Sequence, residues 1–268
     1  MRLSVAHTTV YRYDRPVQLE PHLFRLRPRE DAVQRLLDYR LDLTPPPAGQ
    51  SWSLDQDGNA ALQAWFHDPV EQLTVSVDFA VETLRENPFD FVLASPVYDE
   101  RLRAALSPYL PSDDPAAFAG LAPRESDPMA FLTALNGGLF RNFRHVVREN
   151  GPAHPPEVTL REGAGSCRDL AVLFCAACRA RGLAARFVSG YERAAAFEEQ
   201  AHMHAWAEVY LPGGGWRGYD PSRGLAVSTG HIAVAAAADP QFAAPVTGTY
   251  RGLARSTMEH SIRMQAGA

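Results

Sequence analysis

Gly163-Ala164-Gly165-Ser166-Cys167-Arg168-Asp169, with the apolar run from Leu170 to Arg181 behind it, is the stretch that decides how this 268-residue chain reads. Glycines lead into a serine, an apolar-rich segment follows, and Gly182 stands just past its end. That is the start, body and stop of one helix. Ser166 occupies the capping position, and Asp169, three residues on, resembles the reciprocal position of a capping box. Cys167 then falls in the first helical turn, where unpaired N–H groups and the positive end of the helix dipole favour a thiolate. In such surroundings a thiol pKa drops from about 8.5 to roughly 3.5–7.5. The same N–H groups suit the oxyanion that forms when a thiolate attacks a carbonyl. A small apolar residue at a helix start is the competing reading. The glycines favour the chemical one, because packing alone does not require them.

Downstream of this helix the period changes to two. Ala185 to Tyr191, Met203 to Leu211 and Trp216 to Asp220 read as strands, the last two joined through Pro212-Gly213-Gly214-Gly215. Alternation puts His204, Trp206, Glu208 and Tyr210 on one face of the middle strand, where they can line a cleft. Met203, Ala205, Ala207, Val209 and Leu211 lie on the other and pack inward. Asp220, just before Pro221, is either an ordinary turn aspartate or a partner of His204. Register separates the two. If Leu211 opposes Trp216, Asp220 faces away from His204; if Tyr210 opposes Trp216, Asp220 lies diagonal to it on the same face. His202-x-His204 with Glu208 could also hold a metal, but the cysteine and the aspartate offer a consistent metal-free chemistry, and no metal is expected. Cys175 and Cys178 have the spacing of a redox pair. They sit in mid-helix among Leu173, Phe174, Ala176 and Ala177, so packing is the expected role.

Upstream, residues 1–93 read as an antiparallel, sandwich-like β module. Val10-Tyr11-Arg12-Tyr13 and Leu73 to Phe79 alternate, Pro45-Pro46-Pro47 marks a loop, and Asp57-Gly58-Asn59 marks a turn. Residues 94–125, with prolines at 96, 108, 111, 115 and 123 and a short amphipathic piece from Asp99 to Leu106, read as a helical linker. Residues 126–268 form the expected core region. It opens on a helix from Asp127-Pro128 to about Arg144 with the stripe Phe131, Leu132, Leu135, Leu139 and Phe143. Gly137 and Gly138 weaken that helix by about 1 kcal/mol each relative to alanine. A helix followed by an antiparallel run makes the fold class α+β.

The bulk composition excludes more than it assigns. A net charge of −5 and a pI near 6.0 give no reason to expect nucleic acid or an anionic membrane as partner. All the positive charge is arginine. No stretch approaches the roughly 18 consecutive apolar residues of a membrane span. The first residues lack a secretory h-region, so a cytoplasmic location is expected. Three cysteines, an odd number, argue against a disulfide framework.

Taken in order, Gly165-Ser166-Cys167-Arg168-Asp169, Ser189-Gly190-Tyr191, His204-Ala205-Trp206-Ala207-Glu208-Val209-Tyr210 and Trp216 through Asp220-Pro221 resemble the bacterial branch of the transglutaminase-like superfamily. These are papain-type cysteine enzymes, and the branch is described as cysteine-protease candidates. Arg25-Leu26-Arg27-Pro28 and Gly58-Asn59 carry a looser resemblance to the β module that precedes the core in this branch, and His231 to Tyr250 to its closing strands. The resemblance implies a papain-like core with its nucleophile at a helix N-terminus packed on an antiparallel sheet. It implies Cys167 as nucleophile, His204 as base and Asp220 as its orienter. Gly165, Ser166, Tyr191 and Trp206 are expected at the substrate cleft. The implied activity is acyl transfer through a thioester, hydrolysing peptide or amide bonds without a cofactor. The alternatives are an amine acceptor, as in a transglutaminase, a non-catalytic peptide-binding module, and an arylamine-type acetyltransferase.

Overall fold

The structure is a computed structural model that describes residues 1–95, 97–110, 115–118, 120–121, 127–148, 150–193 and 203–267. The alternating N-terminal segments form six strands: β1 (Arg2–Leu19), β2 (His22–Phe24), β3 (Gln34–Thr44), β4 (Gly49–Leu54), β5 (Ala60–Trp65) and β6 (Val70–Thr83). The Asp57-Gly58-Asn59 turn joins β4 to β5, with Gly58 in the left-handed region at φ +74°. Then come α1 (Glu100–Ala105), capped by the Asp99 carboxylate, and α2 (Pro115–Phe118). The helix α3 (Pro128–Asn142) is capped by Asp127 and runs unbroken through its two glycines. Its expected stripe is buried at Phe131, Leu132, Leu135 and Leu139, and Phe143 packs beside it. Tertiary burial, at about 1.5–3 kcal/mol per large apolar side chain, outweighs the glycine cost.

The central region holds β7 (Arg144–His145), α4 (Pro156–Glu162), β8 (Ala164–Gly165), α5 (Cys167–Ala180), β9 (Ala185–Glu192), β10 (Met203–Leu211), β11 (Gly215–Asp220), β12 (Leu225–Ala226) and β13 (His231–Ala237). Strands β12-β11-β10-β9-β13 form one antiparallel sheet in that order. The helix α5 lies on it, burying Leu173, Phe174, Cys175, Ala177 and Cys178 against Ala207, Val209, Leu211 and Tyr219. Both mid-helix cysteines are therefore core residues. The stretch expected as a linker is fastened to this region: Phe118 enters the same core, and the Tyr98 hydroxyl donates to Tyr210 O and accepts from Ala184 N.

The chain ends in β14 (Val246–Thr247), β15 (Tyr250–Arg251) and β16 (Ser256–Ala266). Here the structure departs from the expected division at residue 126. Strand β16 pairs with β1 from Leu3 opposite Ala266 to Tyr13 opposite Ser256, β15 pairs with the end of β1, and β14 pairs with β2. The first sheet is thus β3-β6-β1 completed by β15 and β16, and the second is β14-β2-β5-β4. The physical reason lies in β1, which is 18 residues long and would expose an unpaired edge without the C-terminal strand.

The two N-terminal sheets share a core with the central one. Val75, Val77 and Phe79 pack in one cluster with Phe24, Leu62, Tyr191, Ile232 and Val234. Polar side chains fasten the junction at β13. Gln34 exchanges hydrogen bonds of 2.9 Å with both backbone groups of Ala233, and buried Asn59 does the same with Ala236 at 2.8 and 2.9 Å. The N-terminal sheets therefore hold β13, whose first residue, His231, reaches the site described next.

Candidate active site

A short parallel pair sets up the cysteine. Strand β7 pairs with β8, with Arg144 N–H bonded to Gly163 O and Val146 N–H to Gly165 O. Gly163, at φ +58°, ends α4. Gly165 is required for packing: a Cβ there would lie 2.8 Å from the Asp169 Cβ and 3.0 Å from the Thr159 Cγ2. Cys167 follows as the first residue of α5, partly exposed, with His145 delivered beside it by β7.

Arg168 and Asp169 lock this corner. The buried Asp169 carboxylate accepts from Ser166 N–H (2.8 Å), Ser166 O–H (2.6 Å), His154 N–H (2.7 Å) and Arg148 (2.5 Å). Burial alone would raise its pKa, but these donors outweigh burial and hold it below the usual range. Arg168 donates to Gly151 O at 2.9 Å and to Arg148 O. The Ser166 hydroxyl thus donates to the carboxylate, and both side chains serve to fix the loop ahead of the helix.

The register across β10 and β11 pairs Tyr210 with Trp216 and Ala207 with Tyr219. That is the register that turns Asp220 toward His204, and His204 Nε2 lies 2.6 Å from Asp220 Oδ2. The other oxygen, Oδ1, accepts from Ser222 O–H (2.7 Å), Ser222 N–H (3.0 Å) and Arg223 N–H (3.2 Å). Asp220 is therefore a turn aspartate through one oxygen and a histidine partner through the other. Burial would raise its pKa, but the hydrogen bonds and charges of His204 and His231 hold it far below the ordinary value.

With Nε2 engaged by Asp220, Nδ1 is the ring nitrogen left for Cys167. The thiol lies within hydrogen-bonding reach of the His145 and His204 rings and of the Ala205 N–H. Burial opposes ionisation of the thiol, but these three groups outweigh it and lower its pKa from 9.0 to about 6. Burial likewise depresses the His204 pKa, while Asp220 and Cys167 raise it from 6.5 to about 10. Near neutral pH the two groups form a thiolate–imidazolium pair. Burial pushes Cys175 up to about 11 and Cys178 well above its ordinary value, so both remain thiols.

Three residues the sequence reading did not single out belong to this cluster: His145, Glu192 and His231. His231 Nε2 lies 3.2 Å from Asp220 Oδ2, and Glu192 Oε2 lies 3.6 Å from His204 Nε2 and 2.9 Å from Arg223 Nε. No local signal joins Glu192 and His231 to the site; the order of the sheet does.

Residues 3–82 match the bacterial transglutaminase-like N-terminal region, and residues 118–221 match the transglutaminase-like superfamily core. The chain belongs to the transglutaminase-like superfamily. It shares the fold of a cysteine-protease candidate from Cytophaga hutchinsonii, whose crystal structure superposes with a TM-score of 0.76 at 23% identity over 100% of this chain and 92% of that one. Among sequence relatives, an uncharacterised protein of Mycobacterium leprae is 26% identical over 94% of both chains. One of Mycobacterium tuberculosis is 29% identical over 97% of this chain and 90% of its own.

Within this transglutaminase-like core, the side chains expected along the cleft are corrected. Tyr191 and Trp206 are each 1% exposed and Ser166 3%, and Gly165 is buried. Tyr191 points into the inter-sheet core, with its hydroxyl 2.7 Å from His7 Nδ1 and its ring against Phe79. Trp206 is covered because it lies across Gly190, where a Cβ would come within 2.7 Å of its ring and 2.0 Å of Ile232 O. It packs edge-on against His231 and along His204. Both faces of β10 are therefore covered next to the site, and Trp206 supports His204 from below. His202, of the metal set considered from sequence, lies outside the described residues. Glu208 pairs with Arg186 at 2.6 Å.

Proposed function

We propose that this protein is a thiol-dependent acyl-transfer enzyme that hydrolyses peptide or amide bonds through a Cys167 thioester, with His204 and Asp220 as its partners. One observation carries the reading: a cysteine at the start of a 14-residue helix beside a histidine that is bonded, on its other nitrogen, to a buried aspartate. In this reading the Cys167 thiolate attacks the carbonyl carbon and forms the carbon–sulfur bond of a tetrahedral intermediate. The Cys167 backbone N–H has no intrahelical acceptor and receives the oxyanion. The His145 ring, within hydrogen-bonding reach of the sulfur, is the second donor. His204 passes its proton to the leaving amine as the carbon–nitrogen bond breaks. It then takes a proton from the water that opens the thioester, and the acid and the thiol are regenerated. Asp220 holds the imidazole orientation and its charge throughout. The N-terminal sheets act indirectly, by seating β13 and the corner that carries His231.

The test is a peptide and amide library, quenched early and analysed for acyl adducts. Turnover with an adduct on Cys167 that is absent from Cys167→Ala supports the reading. Transfer to added amines in preference to water reassigns the acceptor. Binding of peptides without adduct, with equal slow alkylation of all three cysteines, favours a binding module on the same fold.

A further inference from the structure

On its Asp220 side His204 belongs to a larger constellation, of which acyl transfer uses only His204 and Asp220 and leaves Glu192 and His231 without a role. Glu192 ends β9, His204 is the second residue of β10, Asp220 ends β11 and His231 begins β13, so four strands bring their ends to one corner of the sheet. His231 stands directly opposite Glu192 in the ladder. One ligand atom from each of the four lies within 4.8 Å of all the others. We propose that this corner is a binding site for a divalent transition-metal ion of the zinc class, ligated by Glu192, His204, Asp220 and His231, and that its occupancy silences Cys167.

The geometry carries the assignment. A tetrahedral zinc ion with bonds of about 2.1 Å needs ligand atoms about 3.4 Å apart. Here the His231–Asp220 and Glu192–His204 separations are 3.2 and 3.6 Å. The His204–Asp220 contact, at 2.6 Å, opens by less than 1 Å on binding. Two imidazoles with two carboxylates form a borderline, mixed nitrogen and oxygen set that suits zinc over the oxygen-seeking magnesium and calcium. The two carboxylates also neutralise a divalent ion in a buried place where a net charge is costly. Arg223 donates to Glu192 Oε2 at 2.9 Å and so orients that carboxylate toward the corner.

The consequence for the cysteine follows from His204 having only two nitrogens. With Nε2 bonded to the ion, its one proton stays on Nδ1, facing the thiol. Releasing that proton leaves a metal-bound imidazolate, so His204 can neither accept the thiol proton nor return it to a leaving amine. This second part rests on the acyl-transfer reading, and the site itself does not.

The experiment uses the metal-stripped full chain carrying Cys167→Ala, so that no cysteine–histidine pair can bind the probe ion. Titration with Co2+ should saturate at one equivalent with the visible spectrum of a four-coordinate ion, and Zn2+ should displace it. In that background Glu192→Gln, a partly exposed position that leaves the core intact, should weaken Co2+ at least tenfold, and His231→Ala should weaken it further. No saturable binding, or binding that both substitutions leave unchanged, overturns the site whatever the enzymatic activity. In the unsubstituted protein, Zn2+ should block adduct formation on Cys167 at the concentration that fills the site. Adduct formation at full occupancy overturns the silencing.

Discussion

Replacing His204 by alanine gives a prediction that can be worked through to a shape, not just a direction. Burial pushes the Cys167 thiol above the ordinary 9.0, and the hydrogen bonds of His145 and His204, the charge of His204 and the Ala205 N–H together bring it down to about 6. In His204→Ala the midpoint should rise; where burial offsets the His145 and Ala205 N–H hydrogen bonds that remain, it returns to the ordinary 9.0, a move of about three units. At pH 6 the ionised fraction then falls from about one half to about one in a thousand. The rate does not fall that far, because a more basic thiolate is the better nucleophile. With a Brønsted coefficient of 0.4–0.5, three units return a factor of about 15–30.

Alkylation of Cys167 by iodoacetamide should therefore be roughly 15–30-fold slower in the variant at pH 6 and only about 3–6-fold slower at pH 7. The two profiles should cross at about pH 7.5–7.8, with the variant faster above it. The assay is a pH series of alkylation rates at Cys167, resolved from Cys175 and Cys178 by peptide mass spectrometry. Parallel profiles with a shared midpoint near 6 would refute the pairing of the two side chains. So would a wild-type midpoint near 9.0.

Three further outcomes are expected. Asp220→Asn should flatten the acid limb of stability: a carboxyl held far below its ordinary pKa contributes stability above about pH 3.9 that is lost as pH falls toward its folded value. By pH 3 that amounts to about 1 kcal/mol, read from urea midpoints between pH 6 and pH 3. Cys175→Ala with Cys178→Ala should leave Cys167 alkylation unchanged while lowering stability by about 1 kcal/mol per site through lost packing, a result overturned if alkylation slows in step. Gly190→Ala should be among the most destabilising single-methyl changes in the chain, costing several kcal/mol, because the new Cβ meets a backbone oxygen that cannot move aside; an unchanged melting temperature would contradict the packing of Trp206 over that glycine.

What the sequence made legible follows the range of the interactions involved. The helix from Cys167, its stop at Gly182, and strands β10 and β11 are set by local signals: a capping serine, left-handed glycines and alternation. They fell where those signals put them. The closing of the first sheet was not legible, because β1 and β16 lie at opposite ends of the chain and nothing local to either names its partner. Alternation misled at Trp206 for a related reason. It separates two faces of a strand but does not say whether both are covered, and here β9 and β13 supply a floor of Val188 and Ala236 for the face that looked open.

The site shows why a local rule and a functional reading need not compete. A proline-adjacent aspartate at a strand end reads as a turn residue, and the Asp220 Oδ1 does hold Ser222 and Arg223 in that role. The turn immobilises the carboxylate, and that leaves Oδ2 in a fixed direction for the two histidines. One of them, His204, is reached across the neighbouring strand. The other, His231, arrives from a strand that crosses from beyond β12 to the far side of β9. A register between adjacent hairpin strands has two choices. A crossover has no such constraint in its own residues. The sequence therefore narrowed His204 and Asp220 to two registers, of which the family resemblance required one and the sheet shows that one, whereas His231 and Glu192 could be joined to them only through the order of the sheet. That dependence runs both ways: a change at the Asn59 contact that loosens β13 should disturb His231 while leaving the Cys167, His204 and Asp220 geometry in place.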